Sequence, residues 1–564
     1  MSAGTALVHT LAVTASSEGT RPISPLQQTW ARKAETPINV HAMAPWLWAY
    51  PDQAAARMLW EGFSFGFHIP TFRQIKGKRF NRNLISAYQH PQVVRDKINK
   101  EVTLGRMAGP FAAPPLPDLV ISPLGVVPKK EPGKFRLIQH LSYPKGSSVN
   151  DAIDPQLSSV RYQSFDSALD LVRRAGHGAL LAKLDIESAF RLLPLHPSVF
   201  HLMGCKFAGV YYVDRCLPMG CSLSCALFEA FSSFLHWVVA SEVGSDPIAH
   251  YLDDFLIVGR AGSDDCLSTM NIMRSVMRHF GVPLAEDKTQ GPASCLVFLG
   301  IEIDTQARLC RLPPDKVQGM LEAVRAAVSN AVISLKQLQS LLGLLNFACR
   351  VIPMGRVFNR RLERQLSGRS NPKSKITLGS ELLADLVVWE QFLTRFNGIR
   401  VWRTPPMSSQ LLHLFTDAAG SHGYGAYFQG EWSAEPWPES WAPAGLTRNL
   451  TLLELFPVVL AVELWGGKLS NGTVVFWTDN ISVVFAINNL SATSAKVITL
   501  LRHLVLRCLD LNIQFQARHV PGVDNVVADA LSRFEWATFR KLAPTAAAVG
   551  LRCPDFLWQL VLPG

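Results

Sequence analysis

His250-Tyr251-Leu252-Asp253-Asp254-Phe255-Leu256-Ile257-Val258-Gly259 sets two adjacent acids inside an aromatic and aliphatic run. The flanks ask for burial, whereas two neighbouring carboxylates resist it. A β-hairpin with Asp253 and Asp254 at its tip resolves the conflict, because the strands pack while the acids reach a cleft. Upstream, "KLDIESAFRLLPL" places Asp185 at the end of the apolar run 179–184, where a strand would deliver it to a loop. Two adjacent carboxylates and a third from another strand form a site for hard divalent cations, which take oxygen ligands. Two such ions about 3.5–4 Å apart can stabilise the attacking and leaving oxygens of a phosphoryl transfer. Taken alone, "YLDD" is equally an acid-rich turn, so its neighbours must decide.

Two neighbours do. "LPMGCSLS" (217–224) is a Pro/Gly turn followed by small residues that admit a flat ligand. "VVPKKEPGKFRLIQHLS" (126–142) reads as a hairpin carrying Lys129, Lys130, Lys134 and Arg136, donors suited to triphosphate oxygens. In this order the pieces resemble the fingers and palm of a reverse transcriptase. The resemblance implies that Asp185, Asp253 and Asp254 are the metal-binding triad of the polymerase. It implies that Arg136, with Lys129 or Lys130, holds the phosphates of an incoming dNTP. Phe190 takes the place of the aromatic steric gate, whose ring collides with a ribose 2′-OH. Lys288 in "LAEDKTQG" resembles the lysine thought to protonate the leaving pyrophosphate, and "FLGIEI" (298–303) the primer-grip hairpin. Both have plain readings too, as a surface lysine and a core turn. Met219 departs from the family, many of whose members carry Gln before the glycine equivalent to Gly220; fidelity or sugar selection is expected to differ there.

A second set of acids follows. "LLHLFTDAAGSHGYGAYFQGEW" (411–432) reads as a strand with Asp417 at its middle, a glycine-rich turn and a second strand. "TLLELFPVVLAVELWGG" (451–467) is helical, with Glu454 in its first turn. "TVVFWTDN" (473–480) is a buried strand ending in Asp479, and "IQFQARHVPGVDNVVADALSR" (513–533) gives a strand, a loop and a helix carrying Asp529. The order Asp–Glu–Asp–Asp on β, α, β and α elements resembles the RNase H fold, whose four carboxylates bind two Mg²⁺ and direct water at an RNA phosphate. His519 then matches the family's proton-shuttle histidine, and Asn525 a further family position.

The chain of 564 residues carries a formal charge of +11, and the charge is concentrated. Residues 71–145 hold 14 Lys/Arg against 4 Asp/Glu, and residues 350–375 hold 8 against 1. Two basic blocks point to a polyanion, because phosphate contacts release counterions; solvated faces of ordinary domains are the plainer reading. Hydrophobic residues make up 48% and charged residues 18%, which excludes a disordered chain. The ten cysteines show neither a CxxC pair nor zinc spacing, so they read as thiols of a reducing compartment. An intracellular protein of cytoplasm or nucleus is expected. No apolar run of about 18 residues is evident, so no membrane span is expected, and no basic n-region marks a secretion signal.

The expected fold is an α+β right-hand polymerase (fingers, palm, thumb) followed by an α/β RNase H-like domain. Residues 1–105 read as a leader and basic region, 106–310 as fingers and palm, and 311–407 as thumb or connection. Within the last, "SLKQLQSLLGLLNFACRVI" (334–352) has helical Leu spacing, and 367–376 reads as an exposed loop. Residues 408–535 read as the RNase H-like domain, and 536–564 as a tail or linker.

"RLIQHLSYPKGSSVND" (136–151) and "HVPGVDNVVADALSR" (519–533) are similar in wording to the DIRS-type retroelements, which integrate with a tyrosine recombinase. That resemblance implies a recombinase on the same or another element-encoded chain. The implied partners are an RNA template, a DNA primer, their RNA–DNA hybrid and dNTPs, with Mg²⁺ (two per active site, Mn²⁺ an alternative) as cofactor. A domesticated, non-catalytic nucleic-acid-binding protein is the rival reading, and a pararetroviral polymerase a third.

Overall fold

A computed structural model describes residues 31–562, apart from 74, 76–80, 130–132, 396–398, 401–406, 409–411, 413, 471, 512 and 522–524. The chain forms two compact units, residues 1–299 with 303–307, and residues 300–302 with 308–564.

The first unit is built on a four-stranded antiparallel sheet in the order Ile248–Tyr251, Asp254–Gly259, Leu180–Asp185, Gln290–Ala293. Phe255, Leu256, Ile257 and Val258 are all buried, so both faces of that strand are covered. The continuous apolar run of the opening stretch has this cause, since a one-sided strand would alternate. Helices Ser224–Val243, Asp265–Phe280 and Phe165–Ala175 pack against the sheet. A second sheet joins Met107–Phe111, Val210–Asp214 and Gly204–Phe207, and a hairpin pairs Leu124–Pro128 with Phe135–Gln139.

The region read as a leader is more than that. Ala34, Ile38, Met43, Leu47, Leu59 and Phe63 are buried, and helices Val40–Ala49 and Gln53–Phe65 share one core with the sheet's helices. Tyr50 meets Phe234 edge-on at 5.4 Å and Trp46 meets Trp237 at 5.9 Å. These aromatics lack a clear period in sequence because they pack by ring geometry against a distant helix.

The second unit opens with helices Pro314–Asn330, Leu335–Ala348, Arg356–Arg364 and Ser380–Arg395. Leu335, Leu338, Leu341, Leu342 and Leu345 are buried as their spacing predicts, and Ser334 with Gln337 forms a capping box at that helix's start. Of the stretch 367–376 read as an exposed loop, 367–374 is one, whereas strand Lys375–Thr377 pairs with Val332–Ser334 and buries Ile376. Two sheets follow. One is antiparallel, pairing Leu414–Ala418 with Gly423–Phe428 and the latter with Glu431–Pro436; the other is parallel, Thr473–Thr478 lying between Met407–Ser408 and Gln514–His519. Helix Leu450–Leu469 runs against strands of both. This helix is long and apolar enough, by length and composition, to cross a membrane, contrary to the sequence reading. Its apolarity is taken up inside the unit, where 67% of its most apolar window is buried.

The tail is also part of the fold. Leu551 N–H donates to Trp432 O (2.7 Å), Cys553 N–H to Glu435 Oε1 (2.6 Å) and Trp432 Nε1–H to Ala547 O (2.7 Å). Trp558 stacks on Phe456 at 4.7 Å beside Trp437 and Trp441. The described residues of 536–564 thus clasp the outer strand Glu431–Pro436, where a linker was expected.

Candidate polymerase and nuclease sites

Asp185 and Asp254 stand directly opposite each other on antiparallel strands, so their side chains share one face. Tyr251 pairs with Asp254, and Leu252 and Asp253 form the tight turn between the two strands. Leu252 sits at φ 53°, in the left-handed region that L-residues with large side chains avoid. Asp253 O accepts the Ile186 N–H (3.0 Å), which ties the turn to the residue after Asp185. The three acids therefore converge, with Asp254 beginning its strand and Asp253 alone in the turn.

The electrostatics agree. Burial, and then the charges of Asp185 and Asp254, push the Asp253 carboxyl up to about 6. Burial likewise raises Asp254 despite the ammonium of Lys183. Two lysines hold these acids. Lys288 Nζ lies 2.8 Å from Asp185 Oδ1, and Lys183 Nζ lies 3.0 Å from Asp254 Oδ1. Lys183 was missed in the sequence, although alternation puts it on the face of Asp185, diagonal to Asp254.

Phe190 lies in the 3-10 turn Ala189–Leu192, entered through Ser188 at φ 59°, and meets Phe228 edge-on at 5.4 Å. Arg191 anchors that turn through Asp214 (2.8 Å) and Glu101 (2.9 Å). Met219 is half exposed. Gly220 packs against the backbone of the hairpin's second strand, where a Cβ would lie 2.0 Å from Gln139 O. Its lack of a side chain thus serves chain packing, whereas the sequence suggested room for a flat ligand. Arg136 is exposed on the strand opposite Val127, and Lys129, also exposed, donates its N–H to Lys134 O (2.8 Å). Lys130 lies outside the described residues. Residues 298–303 fall on the ends of strands Cys295–Phe298 and Ile301–Asp304, joined by Leu299 and Gly300, both at positive φ.

In the second unit Asp417 is the penultimate residue of its strand, one place from the middle. Ser532 Oγ donates to Asp417 Oδ2 (2.6 Å), while burial, then Asp529 and Asp479, push the carboxyl up to about 6. Glu454, in the second turn of Leu450–Leu469, is pushed to about 9 by burial and by Asp417 and Asp479. Asp479 follows strand Thr473–Thr478, and His519 pairs with Thr478 on the neighbouring strand, exposed beside it. Asp529 lies on helix Val526–Ser532 and pairs with Arg533 (2.8 Å). Asn525 Nδ2–H donates to Thr416 O (2.8 Å), next to Asp417. The helix reaches this position because Gly425 lets it approach, a Cβ there lying 2.3 Å from Ala528 O. Asp417 thus feels the charges of Asp529 and Asp479, and Glu454 those of Asp417 and Asp479. Ser532 was missed because a serine at a helix end carries no sequence signal of its partner.

Among the described residues no group of three or more His, Cys, Asp or Glu is closed to metal-holding geometry. The acids nevertheless fit a hard cation in chemistry. Asp254 Oδ1 is buried without a hydrogen-bond donor, the nearby Lys183 contact lacking hydrogen-bond geometry. Carboxylates that raise one another's proton affinity at both sites are oxygen donors of the kind a hard cation takes.

Residues 127–303 match the family model described as reverse transcriptase (RNA-dependent DNA polymerase). The Gag-Pro-Pol polyprotein of Mason-Pfizer monkey virus is 26% identical over 289 residues, 49% of this chain and 15% of that protein. The Pro-Pol polyprotein of feline foamy virus is 26% identical over 234 residues, 41% of this chain and 18% of that protein. The chain thus spans less than a fifth of the length of these relatives. A foamy viral protease-reverse transcriptase solved in complex with double-stranded DNA is 16% identical, covering 89% of this chain and 84% of its own, with a TM-score of 0.47. The matched segment contains Asp185, Asp253 and Asp254, so that residues 127–303 form a reverse transcriptase domain of the kind carried by retroviral and retroelement Pol polyproteins.

Proposed function

We propose that the chain is an RNA-directed DNA polymerase with RNase H activity, from a retroelement of the DIRS type. The observation that carries the reading is the pairing of Asp185 with Asp254 across one strand pair, with Asp253 in the adjoining turn, inside the segment matched to reverse transcriptases. The four acids of the second unit support the nuclease half, and the wording of 136–151 and 519–533 supports the DIRS assignment.

On this reading Asp185, Asp253 and Asp254 hold Mg²⁺ in the polymerase site, and Asp417, Glu454, Asp479 and Asp529 hold it in the nuclease site. The metal supplies Lewis-acid stabilisation of phosphoryl oxygens and of the attacking oxygen. Lys129 and Arg136 bind the triphosphate of a dNTP, Arg136 through the planar fork that matches phosphate oxygens. Phe190, braced by Phe228 and by the Arg191 anchor, excludes a 2′-OH. Lys288 stands at Asp185, within reach of a proton transfer to the departing pyrophosphate. In the nuclease site Ser532 orients Asp417, and His519 offers a ring for proton transfer at the rim. RNA template, DNA primer and their hybrid are the macromolecular partners, with a recombinase on this or another element-encoded chain.

Primer extension on an RNA template with dNTPs and Mg²⁺ tests the reading, comparing wild type with Asp253→Asn/Asp254→Asn and with Asp479→Asn. Wild type is expected to extend the primer and shorten the RNA, each variant losing only its own activity. A wild type that binds the hybrid yet does neither, in Mg²⁺ or Mn²⁺, establishes the non-catalytic binding protein instead.

A further inference from the structure

Behind the polymerase turn lies a chain of four titratable side chains that the phosphoryl transfer does not use. Asp246 Oδ1 is 2.7 Å from His236 Nε2, and His236 Nδ1 is 2.7 Å from His250 Nδ1. His250 Nε2 is 3.2 Å from Glu229 Oε1. Glu229 Oε2 then accepts the N–H of Leu252 at 3.2 Å. Glu229, His236 and His250 are buried, each less than 10% exposed, whereas Asp246 reaches solvent. The relay therefore runs from the surface to the one residue that takes the left-handed conformation in the hairpin turn.

Two facts about this chain need a cause. First, the facing imidazole nitrogens are too close to share a metal ion, because two bonds of about 2.0–2.1 Å at a tetrahedral angle hold nitrogens about 3.3 Å apart. They are a hydrogen-bonded pair. Second, two of the three side-chain links are hydrogen bonds, whereas His250 Nε2 has its hydrogen-bond contact with Ser233 Oγ and meets Glu229 Oε1 at an ion-pair distance of 3.2 Å. A buried polar chain of this kind is costly unless every link is made. Its surroundings fix it further. Phe255 stacks on His250 at 5.4 Å, Gln163 Oε1 accepts the His250 N–H, and Ser233 Oγ lies 3.5 Å from His250 Nε2. Tyr251 with Tyr162 on it, Cys225 beside Tyr162, and Arg174 near Asp246 are the other titratable groups around it.

We propose that Glu229 is the positioning residue of the polymerase turn, fixing the Leu252 amide so that Asp253 and Asp254 are presented together, and that Asp246, His236 and His250 hold Glu229 in that role. The proposal rests on the polymerase reading. A backbone held at φ 53° for a leucine persists only where its surroundings over-determine it. Among the described residues Glu229 is the side chain that bonds that amide.

The test uses the full chain with three variants. Glu229→Leu keeps the volume and removes the acceptor. Glu229→Gln keeps an oxygen for the Leu252 amide and removes the charge. His250→Phe keeps the ring on Phe255 and removes the link to Glu229, and it carries the test if Glu229→Leu does not fold. Expected for Glu229→Leu are a fall in kcat of about tenfold or more with KM for dNTP little changed, and faster hydrogen exchange at the Leu252 amide. Glu229→Gln is expected to recover both, and His250→Phe to fall between. Wild-type kcat in Glu229→Leu, wild-type exchange there, or a Glu229→Gln as damaged as Glu229→Leu overturns the proposal. Thermal unfolding of the full chain followed by circular dichroism reports on the fold of each variant. If wild type extends no primer, the polymerase reading fails, while Leu252 exchange still decides whether Glu229 holds the turn.

Discussion

A carboxylate held above its ordinary proton affinity ties stability to pH, and Glu454 is the clearest case. Its folded value near 9 exceeds the ordinary 4.5, so the folded state binds the proton more tightly than the unfolded state does. Its contribution is fully present below about pH 4.5 and is lost as pH rises through about 9. In metal-free buffer the thermal midpoint of the second unit is therefore expected to fall from pH 6 to pH 9, by several degrees at about 2–4 °C per kcal/mol. Calorimetry of Glu454→Gln should show a much flatter dependence, and an equally steep one would count against the assignment. At the polymerase site, Phe190→Ala is expected to raise ribonucleotide over deoxyribonucleotide incorporation by roughly 10-fold or more. Single-nucleotide extension with rNTP and dNTP measures that ratio.

Elements meet in this chain at glycines and at buried charge. Gly425→Ala forces helix Val526–Ser532 away from its strand, because the new Cβ would meet Ala528 O. RNA cleavage should fall by about 100-fold or more as Asp529 and Ser532 leave Asp417, with primer extension retained; the two assays on one preparation separate the effects. Helix Ser380–Arg395 is tied to helix Ala495–Asp510 by Asp385, fully buried, whose partners are Arg502 and, at 3.8 Å, Arg361. Arg502→Leu leaves that charge only the more distant Arg361 and should destabilise the second unit by about 3 kcal/mol, measured by urea unfolding. A loss under about 1 kcal/mol would mean that Asp385 is held protonated instead.

At the scale of the whole molecule, the proposed grip on nucleic acid rests on charge, and the structure shows which basic residues are paired within the fold. Arg360 pairs with Glu363, and Arg361 with Glu381, so part of the 350–375 block is tied up within the fold. Lys129 and Arg136 are exposed on the hairpin instead. Binding of an RNA–DNA hybrid is expected to weaken linearly in log Kd against log salt. Lys129→Ala/Arg136→Ala should lower the slope by about 1–2 when dNTP is bound with the hybrid, whereas Arg361→Ala should leave it unchanged. Fluorescence anisotropy across a salt series distinguishes them.

The elements that carry chemistry were legible because each is local. Alternation and apolar runs mark the strands that end in Asp185 and begin at Asp254, and Leu spacing marks the helix from Leu335. The seven acids were picked out by resemblance to known families, and the structure puts Asp185, Asp254 and Asp417 on strands, Glu454 and Asp529 on helices, and Asp253 and Asp479 just outside strands. What tertiary structure alone decided is which side chains meet them. Lys183 and Lys288 at the triad, Ser532 at Asp417 and the relay from Asp246 to Glu229 join residues up to 115 positions apart. The burial of Ile38, Met43, Leu47, Leu59 and Phe63 in the first core and the stacking of Trp558 on Phe456 in the second unit have the same origin. Sequence period reports the face that an element must bury; the partner that covers it is chosen only when the chain closes on itself.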